Sequence, residues 1–398
     1  MVETGDLFAG RPSEGWSGHN NNTDPRPAPP PILRDLAAEA DVRFNGHRPW
    51  DIQVFHPSVY RRILMQGSLG FGESFVDGLW SSQRLDETVS RLLAMNVEVR
   101  VNRRTRMRWL AALLKNVLFN RQSRQRAFQV GEQHYDIGND VYTAMLDPTM
   151  SYSCGYWVRA ENLEQAQQAK LDLICRKLNL RPGLRLLDIG CGWGGLARHA
   201  AEHYGVTVDG ITISREQLAL ARERCQGLPV NLELMDYRDL KGRYDRAVSI
   251  GMFEHVGPKN YAAYFKTIDR VLDDQGIFLL HTIGEYNDST ATDPWIDKYI
   301  FPNGKIPSPR RVAAAFQPYF ILEDWHNFGD DYDRTLMAWW RNFDAAWYRL
   351  KAHYDERFYR MWKYYLHSCA GFFRSRQGQL WQLVLTKRGR TATYRSLR

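Results

Sequence analysis

Leu186-Leu187-Asp188-Ile189-Gly190-Cys191-Gly192-Trp193-Gly194-Gly195, with Leu196-Ala197-Arg198-His199-Ala200-Ala201-Glu202-His203-Tyr204 directly behind it, is the stretch that decides the fold. An apolar run that closes on an acidic residue, then alternating glycines, then a helical pattern predicts the first strand, turn and helix of a doubly wound α/β domain. A Cβ in that turn would hinder both positive φ angles and the close approach of a ligand to the backbone. The helix behind it offers free N–H groups to the same ligand. The spacing is G-x-G-x-G, not the G-x-G-x-x-G of dinucleotide sites. It therefore points to a nucleoside without a pyrophosphate, S-adenosylmethionine being the candidate, with Asp188 beside its amino-acid end. Read from the glycines alone, a βα turn that binds nothing is the competing interpretation.

Further strands follow. Val206 to Ile213 leads through Ser214, a helix N-cap, into Arg215 to Arg222. The strand tip, where an acidic residue would hold ribose hydroxyls, is Thr212; Asp209 comes too early, which leaves ribose contact to neighbours such as Gln217. Asn231 to Tyr237 predicts a third strand, with Asp236 at its end facing an adenine amino group. Tyr244 to Ile250 predicts a fourth, running into Gly251-Met252-Phe253-Glu254-His255-Val256, and Gly276 to Ile283 a fifth. Ligands of parallel sheets lie beyond the carboxyl ends of the strands. Asp188, Thr212, Asp236, Glu254 and His281 are all expected there. Glu254 and His281, beside Phe253 and Leu280, are suited to bind or relay a proton in a water-poor pocket. A buried salt-linked pair that only joins two strands is the alternative.

The chain has 398 residues, 44% of them hydrophobic, enough to bury a large core in two or three units. Lys and Arg outnumber Asp and Glu by 53 to 45, and such a basic protein meets anions: nucleic acid, nucleotides or anionic headgroups. The five cysteines show no paired or metal-ligand spacing, so free thiols in a reducing compartment and no metal site are expected. Neither a secretory signal nor a spanning segment is evident, which suggests a cytoplasmic protein. Residues 1–31 are rich in Gly, Asn and Pro and read as a disordered tail. Residues 32–96 suggest a small α/β unit, with strands at Val42-Arg43-Phe44 and Asp51 to Phe55 and helices at Ser58 to Gln66 and Leu85 to Leu93. Residues 97–127 interleave Arg103, Arg104, Arg106 and Arg108 with Trp109, Leu110, Leu113 and Leu114. This basic amphipathic helix suits an anionic membrane surface, and a linker docking its apolar stripe on its own domain fits equally. Nucleic acid ranks behind both, because no reading motif accompanies the charge.

A family resemblance rests on five motifs: His134-Tyr135-Asp136-Ile137-Gly138-Asn139-Asp140; Leu146 to Trp157, which contains Tyr152-Ser153-Cys154; the glycine turn with Trp193; Ser249 to Gly257; and Leu280-His281-Thr282-Ile283-Gly284. Residues 128–398 resemble the cyclopropane fatty acid synthases and mycolic acid methyltransferases, and the upstream unit resembles the N-terminal domain of the longer bacterial synthases. The resemblance implies a Rossmann-like class I S-adenosylmethionine-dependent methyltransferase, a doubly wound sheet with a small N-terminal α/β domain. Its implied substrate is the unsaturated acyl chain of membrane phospholipids, met at the inner membrane face, and its implied assembly a homodimer. Carried over, it implies cofactor contacts from Tyr152, Ser153, Asp188, Gly190, Gly192, Gly194, Thr212, Gln217, Asp236 and Tyr237. It also implies a bicarbonate ion held by Cys154, Glu254, His281, the Ile283 backbone and Tyr332, and a family cysteine at Cys369. Phe253, Tyr286, Trp295, Tyr299, Phe301, Trp339 and Trp340 offer faces to a carbocation, and residues 284–309 suggest a lid. Rival functions are a methyltransferase giving a branched methyl or methylene product, one acting on a small amine, and a non-catalytic peripheral lipid-binding protein.

Overall fold

A computed structural model describes residues 26–95, 138–288 and 292–398; the basic helix expected at 97–127 and most of the tail lie outside these residues. The proline-rich end of the tail departs from the expected disorder. The Tyr60 hydroxyl donates to the Pro27 carbonyl at 2.7 Å, and Pro31 opens helix α1, Pro31–Glu39, where its missing N–H costs nothing. Next come β1 (Gln53–Val54), α2 (Ser58–Gln66), α3 (Ser68–Val76), β2 (Trp80–Ser81) and α4 (Leu85–Ala94). The expected strand at Val42 to Phe44 reduces to one bridge, Phe44 with Ile52. The Asp51 carboxylate claims that backbone instead, accepting from the Arg43 N–H at 2.8 Å and the Arg48 N–H at 3.0 Å.

The second described stretch runs through α5 (Asn139–Met145), α6 (Leu163–Lys177), β3 (Arg185–Ile189), α7 (Gly195–Tyr204), β4 (Thr207–Thr212), α8 (Arg215–Arg224), β5 (Val230–Leu234), β6 (Tyr244–Ile250), α9 (Tyr261–Val271) and β7 (Leu272–Glu285). After it come α10 (Pro294–Tyr299), α11 (Pro309–Phe316), β8 (Phe320–Asn327), α12 (Asp330–Leu350), α13 (Glu356–Arg374) and β9 (Gly378–Lys387). Among the described residues, one sheet has the order β5-β4-β3-β6-β7-β9-β8. The strands from β5 to β7 are parallel, and β9 is antiparallel to both its neighbours. The chain winds outward from β3 to β5 and returns to β6, so the crevice of a doubly wound sheet opens at the carboxyl ends of β3 and β6.

Apolar clusters cover both faces of the sheet, one around Phe253, Tyr264 and Phe265, the other around Leu171, Ile174 and Ala197. A third cluster joins Phe75 and Trp80 of the N-terminal stretch to Trp295, Trp339 and Trp362. Close approach there needs small residues: a Cβ on Gly72 would lie 2.5 Å from the Trp295 ring, and one on Gly371 2.8 Å from the Asp86 carbonyl. Trp362 is fully buried, and its truncation to Ala would cost about 3–5 kcal/mol. The N-terminal stretch thus shares its core with the helices that follow β8, and those helices carry part of the site.

Candidate active site

The glycine turn is built as its sequence demands. Gly190, Gly192 and Gly194 have φ of 85°, 53° and 79°, a region closed to most side chains. A Cβ on Gly190 would also come within 2.9 Å of Met252. The Gly190 and Cys191 N–H groups both donate to the Ile211 carbonyl, at 2.9 and 3.0 Å, which ties the turn to β4. Gly194 caps α7 with no side-chain hydrogen bond, leaving the first N–H groups of that helix open to a ligand. Asp188 lies under the turn, buried, and burial pushes its carboxyl up to about 7, with the nearby Lys170 ammonium pulling the other way.

Around this turn the other predicted cofactor residues are placed by short-range bonds. Thr212 ends β4, and its hydroxyl donates to Gln217 Oε1 at 3.2 Å. Asp236 does not end a strand, as expected; β5 stops at Leu234, and Asp236 caps a 3₁₀ turn by accepting from the Arg238 N–H at 2.9 Å. Capping wins because an aspartate accepts readily from the N–H two residues on. Tyr237 follows in that turn, packed on Tyr264. Tyr152 and Ser153 come from the segment before α6, where the Tyr152 and Tyr365 hydroxyls lie 2.7 Å apart. That segment is strapped from two sides. On one, Gln167 of α6 donates to the Ser153 carbonyl at 2.8 Å. On the other, Thr335 of α12 accepts from the Gly155 N–H at 3.1 Å and the Trp157 indole at 2.9 Å.

Glu254 lies beyond the end of its strand as expected, whereas His281 does not. Glu254 lies in a 3₁₀ turn, Phe253–His255, beyond the end of β6. Its Oε1 accepts from the Ile283 N–H at 2.7 Å, and its carbonyl accepts from the Lys305 N–H, also at 2.7 Å. The Ile283 amide is thereby spent on Glu254, so of the implied oxyanion contacts this one is made to a side chain. His281 is not at a strand end; β7 continues to Glu285, and His281 sits inside it opposite Gln382 of β9. Gln382 Nε2 and His281 Nδ1 are 3.2 Å apart, which makes Nδ1 the acceptor and Nε2 the N–H as the amide is placed.

Burial dominates the electrostatics. It raises the Glu254 carboxyl to about 7, against the Ile283 and Thr282 hydrogen bonds. It also holds His281 well below its ordinary value, with the Lys170 and Lys177 charges adding to the effect, so the imidazole is neutral. Tyr332, in the first turn of α12, is held far above the phenol range by burial and then by Cys154, Glu254 and Cys369. The Cys154 thiol donates to the Gly155 carbonyl at 3.1 Å, and burial keeps it protonated. Cys369 is likewise a thiol, pushed up to about 12 by burial and the charge of Asp293.

Glu254 Oε2 and His281 Nε2 are buried without a hydrogen-bond partner among the described residues. A carboxyl raised to about 7, protonated in roughly half of the molecules at neutral pH, joins an imidazole N–H and a phenol in a set of donors that fits a small oxyanion such as bicarbonate. The glycine turn, Asp188 and the open helix N-terminus fit a nucleoside bearing an amino acid. Of the described residues in the expected lid, Lys298 Nζ and the Tyr299 hydroxyl donate to Glu73 of α3 at 2.6 and 2.8 Å. Of the aromatic residues considered for a cation, Tyr286 is 74% exposed and faces solvent; Trp339 packs on both Tyr152 and Tyr332. Sequence reading passed over Lys170 and Gln382. Both carried a signal, since Lys170 falls on the buried stripe of α6 with Ala166 and Ile174, and Gln382 interrupts the apolar run from Leu380 to Leu385. Among the described residues no group of His, Cys, Asp and Glu is arranged to hold a metal ion, and no helix is long and apolar enough to cross a membrane.

A family model described as mycolic acid cyclopropane synthetase matches residues 122–383. The chain is 54% identical over 356 residues to the cyclopropane-fatty-acyl-phospholipid synthase of Escherichia coli strain K12, covering 89% of this chain and 93% of that one. It is similar to the solved cyclopropane synthase MmaA2 of Mycobacterium tuberculosis, with a TM-score of 0.62 at 33% identity over 65% of this chain and 98% of the other. The mycolic acid cyclopropane synthase CmaA1, solved with SAH and CTAB, gives a TM-score of 0.61 at 33% identity, again over 65% and 98%. The mostly parallel sheet is thus that of class I S-adenosylmethionine-dependent methyltransferases, the fold expected from the glycine turn.

Proposed function

The chain belongs to the mycolic acid cyclopropane synthetase family, and on that premise we propose that it transfers a methylene group from S-adenosylmethionine to the cis double bond of unsaturated phospholipid acyl chains. The observation that carries the reading is the meeting of two halves at one crevice. The first is a nucleoside cradle at the end of β3; the second is a dry cluster of neutral donors, Glu254, His281 and Tyr332, beyond β6 and within β7.

When bound, the cofactor supplies a methyl group electrophilic enough for an alkene to attack. Attack leaves positive charge on the second alkene carbon, and ring closure requires one proton to leave the added methyl. The residues of the chain prepare for this in three ways. Asp188 and the open N–H groups of the first turn of α7 would hold the amino-acid end of the cofactor. The packed rings of Tyr152, Trp339 and Tyr332 exclude water and present π faces to a cation. Glu254, His281 and Tyr332, with Cys154 beside them, donate hydrogen bonds to bicarbonate, which would supply a weak base. Because the substrate is a membrane lipid, the protein works at a membrane surface, and residues 97–127 are proposed to meet its anionic headgroups.

The test is mass spectrometry of phospholipid fatty acids in a host that makes cis-unsaturated but no modified chains, with and without the protein. A gain of about 14 Da on monounsaturated chains is expected, one CH₂ from the cofactor. Resistance of that product to mild hydrogenation identifies the ring; uptake of hydrogen identifies a methylene product, and no mass change overturns the reading.

A further inference from the structure

One buried charge in the site has no part in the chemistry above. Lys170 projects from α6 and is 1% exposed. Its Nζ donates to Ser153 Oγ at 3.0 Å. An ammonium has three donors, and burying one with a single hydrogen bond is costly unless opposite charge lies close. Asp147 and Asp188 are the groups that favour its charge. Burial draws its pKa down to about 8, so at neutral pH it is still largely an ammonium.

The hydrogen bond has a consequence for Ser153. An ammonium only donates, so Ser153 Oγ must accept, and its own hydroxyl proton is left to donate elsewhere. No protein acceptor for that proton is found among the described residues. The rest of the segment cannot turn to find one, because Gln167, one turn before Lys170 on the same face of α6, holds the Ser153 carbonyl at 2.8 Å. The Tyr156 N–H donates to the Ala166 carbonyl, also at 2.8 Å. We propose that Lys170 is a positioning residue of the cofactor site, whose ammonium fixes the Ser153 hydroxyl as a donor to the carboxylate at the amino-acid end of the ligand. This rests on the methyltransferase reading and adds to it the group that recognises the carboxylate, complementing Asp188 on the amine.

Calorimetric titration with two probes tests it: S-adenosylhomocysteine, which carries the carboxylate, and 5′-methylthioadenosine, which lacks the amino-acid end. Lys170→Met keeps an unbranched side chain one atom shorter and removes the charge. Its affinity for S-adenosylhomocysteine should fall about tenfold or more, the loss of a charge-assisted hydrogen bond, while 5′-methylthioadenosine binds within about twofold of wild type. The melting temperature should stay level or rise, because an apolar replacement relieves the cost of the buried charge. Ser153→Ala should show the same split between the probes, and the double variant should be no weaker than Lys170→Met alone. Unchanged S-adenosylhomocysteine binding, or equal weakening of both probes, overturns the assignment. Should Lys170→Met fail to fold, Lys170 is a structural support instead, and Ser153→Ala alone then decides whether that hydroxyl reads the carboxylate. Wild type that binds neither probe defeats the methyltransferase reading itself, a result separate from these.

Discussion

Replacing Gln382 with Leu isolates the role of His281 without touching it. Gln382 is fully buried and His281 1% exposed, and the 3.2 Å contact between them is the partner of Nδ1. Leucine removes that partner and leaves Nδ1 unsatisfied in a dry site, which costs about 1–3 kcal/mol. It also frees the ring to exchange tautomers, so Nε2 no longer carries the proton in every molecule. If catalysis needs the Nε2–H form, that energy appears in turnover as a loss of roughly 5- to 150-fold. Protein stability should change little, because Gln382 Oε1 is itself buried without a partner and its removal offsets the loss. The assay is turnover of labelled S-adenosylmethionine on vesicles of monounsaturated phospholipid, with S-adenosylhomocysteine affinity measured in parallel. Turnover within about twofold of wild type, or a fall matched by equal loss of cofactor affinity, would refute the assignment of His281 to the chemistry.

Other substitutions separate the two halves of the site. Glu254→Gln retains an acceptor for the Ile283 N–H but not the acidic proton, so turnover should drop by about 10²-fold or more with normal S-adenosylhomocysteine binding; a lost cofactor affinity would move Glu254 to the other half. Cys369→Ser should keep most activity, since burial holds the thiol protonated near 12 and no step uses a thiolate; an inactive, folded variant contradicts this. Asp188→Asn bears on pH. Burial raises the Asp188 carboxyl from its ordinary 3.8 to about 7, so the fold binds its proton more tightly than the unfolded chain does. Stability from this group is therefore present below about pH 4 and lost as pH rises through about 7. The variant should melt higher than wild type at pH 8 and alike near pH 4, and the reverse order at pH 8 refutes the shift.

How much was legible follows from how local each signal is. The glycine turn, Asp188, Ser214 as N-cap and Thr212 at its strand tip are fixed by residues a few positions apart, and the structure places them where the pattern points. His281 was misplaced because β7 is buried on both faces, and a continuous apolar run carries no mark of where a strand stops. Asp236 was misplaced because a capping side chain ended β5 early. No periodic pattern pointed to α12 and α13; Tyr332 and Cys369 entered through the family resemblance, and Trp339 and Trp340 only as aromatic faces. Tyr332 is stacked on Phe373 of α13 at 4.5 Å, and α13 in turn packs against α4 through the space left by Gly371. Phe373 lies 41 positions from Tyr332 and Gly371 lies 285 from Asp86, and only tertiary packing brings them together.

The neutrality of the site follows from the reaction it is proposed to run. A methyl transfer to an alkene begins with a sulfonium and proceeds through positive charge on carbon. An ionised carboxylate touching that carbon would collapse onto it as an ester, so a site for ring closure has to surround the alkene with groups that donate hydrogen bonds or offer π faces. Burial pushes every member this way: it raises Glu254 to about 7, so the neutral acid is a major form near neutral pH, keeps Tyr332 and Cys154 protonated and keeps His281 uncharged. The same burial costs stability, and the aromatic cluster around Trp339 and Trp362 offsets it. Lys170 is then the exception that makes sense. Its charge interacts with Asp147 and Asp188 on the cofactor side, where a carboxylate has to be held, and on the alkene side it adds, with Lys177, to the burial that keeps His281 uncharged.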